Sequence, residues 1–205
     1  MRRKKTGYIL LALLVITGLA GTISGSISGK ERKFAMNLMK STKTDALKNI
    51  SNLSHAQLDF KMSKVDPSVR ERIYQIAISE NNMWEWMQAT LKAPANSEKR
   101  LEVKLTDDQV VKFGLYKGDE IKISGRTSFK SIQYKSLNEA IADFKQKREK
   151  LIEYIKTTTE DLRDHIIQTP IGWIDGYQLY LLIACQSNSN MQQIEKIRED
   201  ALNQK

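Results

Sequence analysis

The chain has 205 residues, 40% of them hydrophobic and 28% charged, with only three prolines and ten glycines. That balance supports one packed domain of ordinary size and excludes a disordered or low-complexity chain. The net charge is +9, of which Arg2, Arg3, Lys4 and Lys5 supply four, so the remainder carries +5. No basic run interleaved with aromatics accompanies that excess, which argues against nucleic acid as a partner. The single cysteine, Cys185, excludes an intramolecular disulfide and any multi-cysteine metal site.

The first residues read as an address. Basic residues 2–5 precede an apolar stretch at 8–20, and Gly18 and Ala20 offer a small-x-small cleavage pattern. The apolar stretch falls short of the ~20 residues that span a bilayer comfortably. Residues 1–20 are therefore expected to be a signal peptide, with an uncleaved membrane anchor as the alternative. Residues 21–30, rich in Gly and Ser, read as a flexible tether, and residues 31–205 as the domain. The protein is expected to be exported.

A first helix is expected over 31–50, with Phe34, Leu38, Ala46 and Ile50 facing inward. Residues 51–54 break it, and 55–60 form a turn carrying the apolar plugs Leu58 and Phe60, with His55 solvated. Pro67 and the spacing of Ser68 and Glu71, a capping box, open a second helix. Its inward residues are Val69, Ile73, Ile76, Ala77, Met83, Trp84 and Met87, with Gln75 and Glu80 at or beside the stripe. Residues 93–104 lose the pattern, Thr106 and Gln109 cap a short helix to about Leu115, and 112–135 is irregular. Ser136 and Glu139 open a strongly amphipathic helix to about Lys156. Ala140, Phe144, Leu151, Ile152 and Ile155 face the core, and the Lys, Glu and Arg positions form a solvated outer face.

A break at 157–161 leads to one or two helical turns over 161–167, with His165 in a structural role. Thr169, Pro170 and Gly172 then turn the chain into a last helix over 173–196. Leu179, Leu182, Ile183, Ile194 and Ile197 recur on that helix at three- and four-residue spacing. Gln186 and Asn190 interrupt the stripe four residues apart, so both amides should point inward. A buried amide is costly unless its hydrogen bonds are met. Cys185 beside them reads as a small apolar filler. Four main helices with one long connection suit a four-helix bundle.

The stretches 52–60 (NLSHAQLDF), 68–80 (SVRERIYQIAISE), 172–179 (GWIDGYQL) and 185–194 (CQSNSNMQQI) resemble the DinB superfamily over about residues 33–200. The resemblance implies an all-α fold, a four-helix bundle with a long connection between helices 2 and 3. In that family one histidine on the second helix and an H-x-x-x-H pair on the last bind a divalent metal. Carried onto this sequence, the resemblance sets the three ligand positions at Gln75, Gln186 and Asn190, none of them histidine. Uncharged amide oxygens are poor donors for zinc or nickel. Glu80, Tyr177 and Cys185 are expected as neighbours of the pocket.

The leading expectation is thus an exported, metal-free and non-catalytic bundle with a degenerate metal pocket, and no cofactor. One alternative is a divalent-metal-dependent hydrolase or thiol transferase using displaced ligands such as His165, Glu80 or Cys185. Another is a dimeric interaction module or a small-ligand-binding module, with a membrane as partner only if the N-terminal segment is retained.

Overall fold

The computed structural model describes residues 25–117 and 133–203. The expected leader over 1–20, and most of the irregular stretch 112–135, lie outside the described residues. In chain order the elements are α1 (Gly29–Ile50), α2 (His55–Asp59), α3 (Val69–Lys92), a 3-10 turn (Ser97–Glu102) and α4 (Asp107–Lys117). After residue 132 come α5 (Leu137–Thr157), a 3-10 turn (Leu162–Asp164), strands β1 (Ile166–Thr169) and β2 (Gly172–Asp175), α6 (Gly176–Gln186) and α7 (Asn188–Asn203).

Local chemistry sets most of these boundaries. Ser68 Oγ accepts from the Glu71 amide at 3.2 Å while the Glu71 carboxylate accepts from the Ser68 amide at 2.6 Å. Two of the free amides at the start of α3 are thereby satisfied. Ser28 with Glu31, Ser54 with Gln57 and Asp175 with Gln178 form the same reciprocal pair at α1, α2 and α6. α1 therefore starts at Gly29, two residues earlier than expected, because its cap is Ser28. The described part of the expected tether is docked rather than free. The Gly25 carbonyl accepts from the Arg163 amide at 2.8 Å, and Ile27 is buried in the core.

α1, α3, α5 and the α6–α7 pair make a four-helix bundle. α5 packs against α1 and α3, and α6 packs against the same two helices from the opposite side. The long connection between α3 and α5 carries α4, which covers the outer face of α6. Every residue of α6 is consequently buried, the expected state of a helix that is apolar all round. Gly114 of α4 allows the close approach: a Cβ there would lie 2.7 Å from Cys185 Cβ.

Two expectations in the C-terminal third need correction. The expected helical turns over 161–167 are a 3-10 turn followed by a β-hairpin, with Ile166 opposite Asp175 and Thr169 opposite Gly172. β-branched Ile166, Ile167, Thr169 and Ile174 favour strand. Gly172, at φ +114, takes a conformation that side chains disfavour, and Thr169 Oγ1 donates to the Gly172 carbonyl at 2.7 Å. The Asn96 side chain pairs with both backbone groups of Ile166, at 2.8 and 2.9 Å, and so completes the hairpin edge. The expected single last helix over 173–196 begins instead at Gly176, and Ser187 interrupts it.

The apolar interior is divided in two. One cluster holds Leu38, Met39, Met83, Met87, Leu151, Ile155 and most of α6. The other holds Ala46, Ile50, Val69, Ile73, Ile76, Phe144, Met191, Ile194 and Ile197. Between them every helix of the bundle contributes a buried polar residue: Thr42 on α1, Glu80 on α3, Arg148 on α5 and Ser187 at the α6–α7 junction.

Candidate functional site: the polar layer of the bundle

Arg148 occupies the centre of that layer. On α5 it lies four residues after Phe144 and three before Leu151, on the inward stripe. The expectation that the arginines of α5 are solvated fails here, because Arg148 and Glu80 are both 0% exposed. The guanidinium meets the carboxylate side-on, with Nε 2.6 Å from Oε1 and Nη2 donating to Oε2 at 2.9 Å. Only the Nη2–Oε2 contact has hydrogen-bond geometry; the Nε–Oε1 approach is a close ion contact between fully buried charges.

The remaining guanidinium hydrogens are shared among acceptors from other helices. Nη1 donates to Thr42 Oγ1 at 3.0 Å, to the Ala184 carbonyl at 3.0 Å and to Met39 Sδ at 2.9 Å. Nη2 donates to Ser187 Oγ at 3.1 Å and to the Ile183 carbonyl at 3.4 Å. The two carbonyls need partners because α6 stops at Gln186, leaving its last turn without intrahelical donors. A cation at that end also complements the negative pole of the helix. Burial pushes the Glu80 carboxyl above its usual range, and Arg148 pulls it back.

A second polar cluster closes the end of the bundle where α1 and α6 begin. Arg163 donates to Asp107 at 2.7 and 3.0 Å and to Asp175 at 2.8 Å, and it also pairs with Glu31. Its guanidinium lies 4.3 Å over the Tyr177 ring. Tyr177 donates its own hydroxyl to the Glu31 carbonyl at 2.9 Å.

The residues singled out from the sequence are therefore spread over several environments. Gln186 is buried at the end of α6, and its Oε1 has no hydrogen-bond partner among the described residues. Asn190 is half-buried on α7, beyond the break at Ser187. Gln75 is exposed, against the expectation that it lines an interior pocket. At 3.6 residues per turn it stands about 140° round α3 from Glu80, which takes the inward position. Tyr177 belongs to the Arg163 cluster, about 13 Å along the chain axis from Gln186 at 1.5 Å per residue. Cys185 is buried against α4, and burial pushes its thiol up to about 12 despite the opposing pull of Arg148. His55 is exposed, and His165 lies just ahead of β1 with its Nδ1 buried and without a partner among the described residues. Of the displaced ligands of the alternative reading, Glu80 and Cys185 both lie within the electrostatic reach of Arg148, whereas His165 lies just ahead of β1.

Arg148 was missing from the sequence reading, although its spacing from Phe144, Leu151 and Ile155 placed it on the apolar stripe.

Among the described residues, no group of three or more His, Cys, Asp or Glu is placed to hold a metal ion. The donor chemistry points the same way. Gln186 and Asn190 offer neutral amides, Gln75 is exposed, and Glu80 already binds a guanidinium. These residues do not fit a transition-metal centre.

The fold is an all-α four-helix bundle. Among solved structures the chain is similar to YfiT from Bacillus subtilis, described as a probable metal-dependent hydrolase with an unusual four-helix bundle topology. The TM-score is 0.57 at 12% identity, covering 86% of this chain and 90% of that one. No protein-family model and no curated protein matches the chain.

Proposed function

We propose that this protein is an exported, non-catalytic member of the DinB-like bundles, in which an arginine–carboxylate pair takes the place of a metal centre. The observation that carries the reading is Arg148, a fully buried cation whose partners come from α1, α3 and α6. A metal in such a bundle ties helices together through a positive charge, and a guanidinium with this set of acceptors supplies the same cross-link. Glu80, the carboxylate of the layer, is committed to that pair. The basic residues 2–5 ahead of the apolar stretch 8–20 support export. Among the described residues no helix is long and apolar enough to cross a membrane.

Two measurements test the proposal. Metal analysis of protein purified without chelator should find no stoichiometric zinc, nickel or manganese. Addition of EDTA should leave the melting temperature unchanged, since a metal bound only to the folded state would stabilise it by mass action. Retained stoichiometric metal, lost on Glu80→Gln, would establish the hydrolase-type reading instead.

A further inference from the structure

An open depression of about 650 Å³ lies on the flank of the bundle where α3 meets α5. We infer that it is a binding site for a small amino-acid-like zwitterion. The ligand's ammonium or guanidinium group faces Asp143, and its carboxylate faces Lys147. This site is separate from the polar layer, although Asn81 and Lys147 directly adjoin Glu80 and Arg148 in sequence.

The inference rests on how the wall is built. Glu139, Asp143 and Lys147 recur every four residues along α5, so they stand in one row on one face. Asp143 is the fixed member of that row. Its Oδ2 accepts from the Tyr134 hydroxyl at 2.6 Å and from Asn81 Nδ2 at 2.6 Å. Asn81 is itself buried and is anchored to the Ala77 carbonyl at 3.3 Å. Tyr134 is held by stacking on Tyr74, with ring centroids 6.1 Å apart. Burial and the bond to Asp143 raise the Tyr134 phenol well above its ordinary range, so it stays protonated and donates.

A carboxylate accepts through both oxygens. With Oδ2 doubly engaged, Oδ1 has no donor among the described residues, and it is the oxygen assigned to the ligand's cation. Glu139, one turn before Asp143, adds a second negative charge at that end. Lys147, one turn after it, reverses the sign. A row running negative, negative, positive matches a molecule with a positive group and a negative group at opposite ends. The volume falls within the range of small-molecule sites. It far exceeds the roughly 30 Å³ share of a single water, so a bare ion would not fill it.

The test uses the full chain and three probes: L-arginine, L-lysine and glutarate, the last having two carboxylates and no cation. Isothermal titration should show saturable one-to-one binding of arginine or lysine and none of glutarate. Asp143→Asn keeps the shape and the two hydrogen bonds to Oδ2, and should weaken binding at least about tenfold. In case that variant fails to fold, amide chemical shifts of the wild-type protein give a second readout. Arginine should move the signals of Asn81, Asp143 and Gln146. Absence of saturable binding by both amino acids, binding of glutarate at equal strength, unchanged affinity in a folded Asp143→Asn protein, or shifts confined to another face would each overturn the inference.

Discussion

Glu80 and Arg148 meet in the middle of the bundle with Nε 2.6 Å from Oε1, and neither side chain is exposed at all. Removing one partner leaves the other buried and charged. Arg148→Met should therefore destabilise the fold by about 3–5 kcal/mol, and Glu80→Gln by a comparable amount. The double variant Glu80→Met with Arg148→Met should be far less damaged than the sum of the two, because no charge is then stranded. Urea unfolding of the three variants measures this, and additive losses would show that the pair is not coupled.

Gly114 and Cys185 set the distance between α4 and α6. Gly114→Ala would place a methyl 2.7 Å from Cys185 Cβ, so the two helices must separate. The expected cost is about 1–3 kcal/mol, the usual penalty for overpacking. Thermal unfolding tests it. An unchanged melting temperature would mean that α4 moves away freely.

The buried, high-pKa thiol of Cys185 should be inert in the folded protein. Iodoacetamide at pH 8 is expected to label it only in denaturant, with mass spectrometry as the readout. Rapid labelling under native conditions would contradict the packing of α4 over α6.

Acid should loosen the capped end. Burial opposes the Glu31 charge, but hydrogen bonds from Arg163 and Ser28 outweigh it and hold the carboxyl below its ordinary value of 4.5. A lowered folded-state pKa means that this contribution is fully present above the unfolded value and is lost as pH falls through the folded one. Stability should thus decline below about pH 4.5, and Glu31→Gln should flatten that limb of the pH profile. An identical acid limb in the variant would count against the role of the Glu31–Arg163 pair.

The sequence made some of this architecture readable, for identifiable reasons. Ser68 and Glu71 announced the start of α3 because a capping box is a local device, with both partners in a single turn. The stripe through Ala140, Phe144, Leu151 and Ile155 likewise oriented α5 without tertiary information. The hairpin was hidden because its two strands have four residues each, and part of its edge is supplied by Asn96, some seventy positions away. Gln75 was misjudged for a different reason. The resemblance picked it out as a ligand position, and a count of angles round α3 turns it to solvent and puts Glu80 inside. Arg148 was the converse error, since its spacing was apolar and its chemistry was not. A charged residue on a core stripe is costly without a buried partner. The pair could have been sought by looking for a carboxylate on another inward stripe, and Glu80 was the one available.

The division of the interior into two apolar clusters gives the Ser187 break a further meaning. Layers of aliphatic side chains can slide past one another by a turn and still pack, so they fix axial alignment poorly. A guanidinium that must reach Thr42, Glu80, Ser187 and two carbonyls at once fits at one setting only. The layer acts as an index mark for the four helices, and it aligns each helix against the others at a single height.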